Sequence, residues 1–287
     1  MLRPLLAITV SSLLFPLVVT IFREIRQQDE LLTVIFHSSL LNCVSLWTVL
    51  WFCERRGAVS TSILRVHLLR GLLAAVVATT IVYSMKYMQV DLALTVLMSA
   101  PIWIVLLARF WILERVSRLT WVAVGLGFLG IIITTNPGMG GLNFWVLVML
   151  VASLGSAVLN TMMTRYKQHG DSPRKWATYT ETGVMISSIL LWLIFDRQLL
   201  TLELLWLYLL IPLTFLPAVY FINYAFLYGR ASDVSPLGYL QIPAAVLYGW
   251  LVFSGVPEPS TYFGAVLIIF AGLLLFRTSQ TVSGSTN

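Results

Sequence analysis

Charge is what this chain has least of: Asp, Glu, Lys and Arg make up 10% of its 287 residues, against 59% hydrophobic. Soluble domains carry roughly one-quarter charged residues, so a soluble fold is disfavoured. Cysteine is almost absent too. Cys43 and Cys53, ten residues apart in or at the end of one apolar run, give neither a disulfide framework nor metal-ligand spacing. Histidine is confined to His37, His67 and His169, which are scattered. There is no paired-Asp motif for a metal-bound diphosphate, no His-Glu metal box, no nucleophile elbow and no P-loop. No cofactor or metal is expected, ATP-driven pumping is disfavoured, and the chain does not read as an enzyme.

What is present is apolar length. Runs fall at 4–22, 31–52, 68–87, 92–112, 119–135, 143–163, 177–195, 204–226, 235–253 and 261–276. Each is close to the span of about 20 residues that crosses a bilayer as a helix. None alternates as an outer-membrane strand does. The fold class expected is all-α and integral to the membrane, with ten spans. The first run follows Arg3 and lacks a small-residue cleavage motif before Arg23, so it reads as a retained span rather than a leader.

The net charge of +6 follows from position and does not imply nucleic acid. With the N-terminus inside, Arg3, Arg55, Arg56, Arg65, Arg70, Arg109, Arg115, Arg118, Arg165, Lys167, Arg174, Lys175, Arg230 and Arg277 fall at cytoplasmic ends. Only Arg23, Arg26, Lys86 and Arg197 fall opposite, as the positive-inside rule requires. Both termini are expected in the cytoplasm, and the inner membrane is the expected location.

Sliding the sequence by 141 residues superposes two sets of five runs: Ile81, Tyr83 and Tyr87 meet Ile222, Tyr224 and Tyr228, and Val105 and Leu106 meet Val246 and Leu247. Thr120 and Trp121 likewise meet Thr261 and Tyr262. Five is odd, so the second set enters from the opposite side and the chain reads as an inverted repeat, the architecture of alternating access. The Gly- and Pro-rich stretch Asn136 to Gly141 marks the join, dividing the chain into 1–138 and 139–287.

The stretches Ser99 to Gly138 and Ser235 to Arg277 resemble the two copies of the EamA domain of the drug/metabolite transporter superfamily. The pattern is Pro101 in the fourth run, Glu114 after it, Trp121 opening the fifth, and Gly125 and Gly130 within it. The second copy offers Pro236, the turn Val256 to Pro259, Gly264 and Gly272. Arg70-Gly71 and that turn are similar to the ten-helix branch that includes S-adenosylmethionine carriers. The chain departs from the branch at His37, where an Arg is frequent, and at Gly255, where an acid is frequent. The resemblance implies a permease with the fifth and tenth spans as scaffold outside the transport core.

Polar groups inside spans cost free energy and should face a partner or a wet cavity, so they are the site candidates. His37 lies two turns into the second run, beside a polar line of Ser38, Asn42 and Ser45. It reads either as a cavity group that titrates near neutral pH or as a helix–helix hydrogen bond. Tyr220, Asn223, Tyr224 and Tyr228 share a stripe, with Tyr83 and Tyr87 on the equivalent one. The inner members suit stacking on a flat solute, the outer ones an interfacial belt. Pro101, Pro236 and Pro243 should bend helices beside the cavity, bringing Trp103, Tyr239 and Gln241 within reach of solute. Asn160 is a lone polar group in its run. Glu181 is the one acid inside a span, a candidate with His37 for proton coupling, or else an interfacial partner of Arg174 or Lys175. Arg70, Arg109 and Glu114 read as boundary anchors. The small-residue stripe through Ala123, Gly125, Gly127, Gly130, Gly264, Ala265, Ala271 and Gly272 suits close packing and offers a surface for a homodimer.

The expectation is a secondary transporter of a small organic solute, amino-acid-like, nucleoside-like or otherwise amphipathic. Its cavity would be lined by spans one to four and six to nine. The alternative is an integral membrane enzyme acting on a lipid-linked substrate. The partners expected are the solute and membrane lipid.

Overall fold

The computed structural model describes residues 2–57, 59–84, 87, 90–135, 144–253 and 259–284, and among them the backbone is helical with no strand. The join at Asn136 to Gly141, Lys86, Gly255 and positions 256–258 of the turn lie outside the described residues. The helices in order are α1 (Leu2–Ile25), α2 (Leu31–Glu54), α3 (Leu64–Ser84), α4 (Val90–Leu97), α5 (Ala100–Phe110) and α6 (Arg118–Thr135). They continue as α7 (Phe144–Tyr166), α8 (Pro173–Phe195), α9 (Leu205–Tyr228), α10 (Ala231–Val234), α11 (Gln241–Phe253) and α12 (Pro259–Gly284). Six helical stretches of 21 to 27 residues are long and apolar enough to cross a membrane, and apolar helices at 95–110, 118–134 and 259–274 are shorter. The chain is a multi-pass membrane protein. Helix is the state that satisfies every backbone group within one segment in lipid.

Two of the runs that the sequence presents as single helices are broken. The fourth stops at Leu97 and restarts at Ala100. Pro101 is the reason: it has no N–H, and its ring excludes the Leu97 carbonyl four residues back. That freed carbonyl accepts instead from Ser153 Oγ on α7 at 3.1 Å. The ninth consists of a 3-10 segment Ser235–Leu240 followed by α11, with the short α10 immediately before it. Pro236, Gly238 and Pro243 weaken a continuous helix there. The Leu237 carbonyl in the break accepts from Ser12 Oγ on α1 at 3.2 Å. Ser12 and Ser153 are both fully buried, so the carbonyl at each break meets a protein donor in a place water does not reach.

Glycine sets two close crossings. A Cβ on Gly183 of α8 would land on the Gly71 backbone of α3, and one on Gly130 of α6 would sit 2.7 Å from the Gly264 carbonyl of α12. The α6–α12 pair therefore packs backbone to backbone along the small-residue stripe. Gly125 on the same helix has nothing within 4 Å, so the stripe is only partly used.

Candidate functional site

The two breaks border one cavity. Its volume is about 200 Å³, and its walls come from α1, α3, α4, α5, α7, α9, the 3-10 segment and α11. Most of the wall is apolar: Ile8, Ile81, Leu97, Met98, Ala100, Pro101, Ile104, Ile222 and Phe226. Polar groups come from Ser156 and Asn160 on α7, Ser235 and Gly238 in the ninth run, and Gln241 at the start of α11. Asn160 sits in place by donating Nδ2 to the Ser156 carbonyl at 3.1 Å. The Ser235 hydroxyl is buried with no hydrogen-bond partner. Among the described residues no ionisable side chain lines this cavity. A mostly apolar hollow with a few convergent polar groups, at a point where several helices meet, is the usual form of a small-molecule site.

Of the residues singled out from sequence, the structure brings Asn160 and Gln241 to this cavity, together with Pro101. The others lie elsewhere. Tyr83 and Tyr87 are half exposed, and Tyr87 stacks on Trp145 at 4.3 Å and an interplanar angle of 6°. Tyr220 lies under the Arg174 guanidinium at 5.2 Å and lines a separate hollow of about 300 Å³ between α2, α8 and α9. Tyr224 packs between Tyr220 and Tyr228. Asn223 is buried and donates Nδ2 to the Pro173 carbonyl at 3.3 Å, a helix-tethering bond. Trp103 is partly buried on the main apolar core with its Nε1 unpartnered. Tyr239 is fully buried against Ile131 and Ile268, its ring filling the space at Gly127.

His37 is not among the residues that line the cavity. Its Nδ1 meets the Thr33 carbonyl at 2.8 Å, and its ring sits among Phe36, Trp192 and Tyr208. Asn42 and Glu181 meet between α2 and α8. The cations expected to pair with Glu181 are engaged elsewhere: Lys175 with Glu54 at 3.4 Å and Asp171 at 3.6 Å, Arg174 with Tyr220. Arg70 is no boundary anchor. It is 4% exposed and donates to the carbonyls of Leu159 and Trp176 at 3.0 Å each, and to the Thr180 hydroxyl. Glu114 is likewise engaged, accepting from the N–H groups of Ala231 and Ser232 and from Ser232 Oγ.

Sequence reasoning missed Ser156, Ser235 and Gly238. A signal for the wall was present: Ile81 and Ile222, which the 141-residue offset superposes, both line the cavity.

Residues 2–136 and again 143–277 match the EamA-like transporter family. A riboflavin transporter of Rhizobium johnstonii is 30% identical over 216 residues, which cover 75% of this chain and 70% of the relative. A riboflavin transporter of Vibrio cholerae is 29% identical over 208 residues, 71% and 69% of the two chains. An S-adenosylmethionine uptake transporter of Rickettsia felis is 27% identical over 232 residues, 80% and 77% of the two chains. A solved crystal structure superposes with a TM-score of 0.80 at 13% identity, over 97% of this chain and 98% of the other, so the two share a fold. With two matched stretches covering nearly its whole length, the chain belongs to the EamA-like transporter family and is a secondary transporter of a small metabolite.

Proposed function

We propose that the cavity between the broken helices is the solute site of an alternating-access carrier in the cytoplasmic membrane, and that its solute is an uncharged, flat heteroaromatic metabolite. The observation that carries this is the lining itself, apolar walls with hydroxyl and amide groups and, among the described residues, no ionisable side chain. A charged solute held there would lose its hydration without an opposite charge in return. An amide such as Gln241 and a hydroxyl such as Ser235 suit the donor and acceptor edge of a ring whose faces rest on isoleucine and phenylalanine. Of the two solutes named for the relatives, riboflavin, with its uncharged fused ring, fits this lining better than the sulfonium of S-adenosylmethionine.

The carrier reading takes the chain as ten spans in two inverted repeats, 1–138 and 139–287, with both termini cytoplasmic. The helix register supports it. Leu64 and Leu205, Val90 and Ala231, Ala100 and Gln241, and Arg118 and Pro259 begin helices, and each pair is separated by 141 residues. The two serines that satisfy the broken spans are related by the same offset, since 153 less 12 is 141. Three pairs of cavity positions share it: Ile81 with Ile222, Leu97 with Gly238, and Ala100 with Gln241. A hollow walled by equivalent positions lies where two halves can rock about it. The matched family stretches fall on the same division.

Proton coupling is assigned to Glu181 rather than His37. Glu181 is buried between two long helices with an uncharged amide as its partner, whereas His37 is boxed by three rings. Ligand-dependent melting in detergent tests the solute class. Riboflavin should raise the melting temperature through mass action, and Gln241→Leu should abolish the rise. Stabilisation by S-adenosylmethionine with none by riboflavin overturns the uncharged-solute reading.

A further inference from the structure

Two acids of this chain do the same thing at opposite ends of the molecule. Asp29, in the α1–α2 connection, accepts from Thr201 Oγ1 at 2.5 Å and from the Tyr208 hydroxyl at 2.7 Å. Asp171, in the α7–α8 connection, accepts from Thr61 Oγ1 at 2.5 Å and meets His67 Nε2 at 2.9 Å. A carboxylate offers no proton, so the imidazole donates from Nε2. Both acids are 7% exposed, and Tyr208 and His67 are 0% and 1% exposed. These are deep, charge-assisted bonds rather than surface contacts.

The two clusters correspond position by position. Tyr208 lies 141 residues after His67, Thr201 lies 140 after Thr61, and Asp171 lies 142 after Asp29. Each joins residues far apart in the chain, with sequence separations of 172 and 179 for Asp29 and 110 and 104 for Asp171. Asp29 reaches from the first matched stretch to the second, and Asp171 from the second to the first. The clusters are also a membrane apart. Asp29 precedes the start of α2, while the other end of α2, Glu54, meets Lys175 beside Asp171. A helix of 24 residues separates them by about 36 Å.

We propose that these are the two gates of the transport cycle, Asp29 with Thr201 and Tyr208 locking the halves together on the outer face, and Asp171 with Thr61 and His67 locking them on the cytoplasmic face. Both are formed in this structure. Opening to either side breaks one cluster and leaves the other intact. This rests on the alternating-access reading and on the N-terminus-inside orientation, but not on the identity of the solute.

The test reads access, not transport. Cys43 and Cys53 are replaced by Ala, a reporter cysteine is placed at Ile81, and a membrane-impermeant maleimide is applied to right-side-out and to inverted vesicles. Asp29→Asn should speed labelling from the outer face about tenfold and leave the inner rate unchanged, since a hydrogen bond to a charged group is lost on one side only. Asp171→Asn should do the reverse. Tyr208→Phe and Thr61→Val remove one hydroxyl each and should shift labelling in the same directions by a smaller factor, so the proposal stays testable if a carboxylate variant fails to fold. Equal effects from both faces, effects on the same face for both acids, or no effect in any folded variant overturns it. Because no solute is present, failure here is distinct from failure of the solute assignment. A locked interior that never labels while riboflavin still stabilises the protein would sink the gates and spare the site.

Discussion

The Glu114 carboxylate caps the first turn of α10 from across the molecule, accepting from Ser232 N at 3.0 Å and from Ser232 Oγ at 2.6 Å. A third bond comes from Ala231 N at 3.0 Å. Negative charge at a helix start is favourable, and the bonds fix where the chain enters the 3-10 segment that carries Ser235 and Gly238 to the cavity. Glu114 thus acts on the cavity wall through position. Glu114→Ala should cost about 2 kcal/mol of stability and Ser232→Ala about 1 kcal/mol, read as ordered drops in melting temperature in detergent.

The cavity variants separate wall from scaffold. Gln241→Leu and Ser235→Ala should each lower solute uptake about tenfold at unchanged membrane abundance, since they remove polar groups from the lining. Asn223→Ala should do the opposite: it strips the Pro173 carbonyl of its donor inside the protein, and abundance should fall with uptake per molecule preserved. Immunoblotting beside proteoliposome uptake distinguishes the two. Loss of uptake without loss of abundance in Asn223→Ala would move that residue into the site.

Much of this molecule is legible in its apolar runs, and the part that is not has a geometric cause. The offset that pairs Ile81 with Ile222 also pairs Tyr83 with Tyr224, and chemistry draws the eye to the tyrosines. Yet residues two apart on a helix point about 200° from one another. If Ile81 faces the cavity, Tyr83 must face out, and it is 50% exposed. Hydrophobic patterning does not resolve this, because a span with lipid on one side and an apolar wall on the other is apolar all round. The broken helices were legible as prolines, but not as breaks, since a proline bends a helix or restarts it according to whether a neighbour such as Ser153 can take up the freed carbonyl. Long-range partners such as Asp29 and Tyr208 leave no local trace in sequence at all.

Asp29 sets a pH dependence. Burial alone would raise its pKa, but the hydrogen bonds from Thr201 and Tyr208, with His37 nearby, outweigh it and hold the carboxyl below its ordinary value of 3.8. A folded-state pKa below the unfolded one contributes stability that is complete above the unfolded value and disappears as pH falls through the folded one. Melting temperatures of the wild type and Asp29→Asn should therefore differ most near neutrality and converge below pH of about 4. A gap that stays constant down to strong acid would mean the carboxylate is not held by these bonds.

The crossing of α3 and α8 offers a graded test of how closely the two helices pack. At Gly183 an added Cβ would collide with the Gly71 backbone, which cannot swing aside as a side chain can. At Gly71 it would lie 3.1 Å from the Tyr179 carbonyl, tight but open to a small shift. At Gly125 it would meet nothing within 4 Å. Overpacking costs about 1–3 kcal/mol, whereas Gly to Ala in an open helix gains up to about 1 kcal/mol in helix propensity. The melting temperatures should therefore rank Gly125→Ala at or above wild type, then Gly71→Ala, then Gly183→Ala lowest. α3 and α8 come from different matched stretches, so on the alternating-access proposal the Gly183 variant should also change labelling of the cavity. A Gly183→Ala protein as stable as wild type would show that the two helices can part at this point without cost.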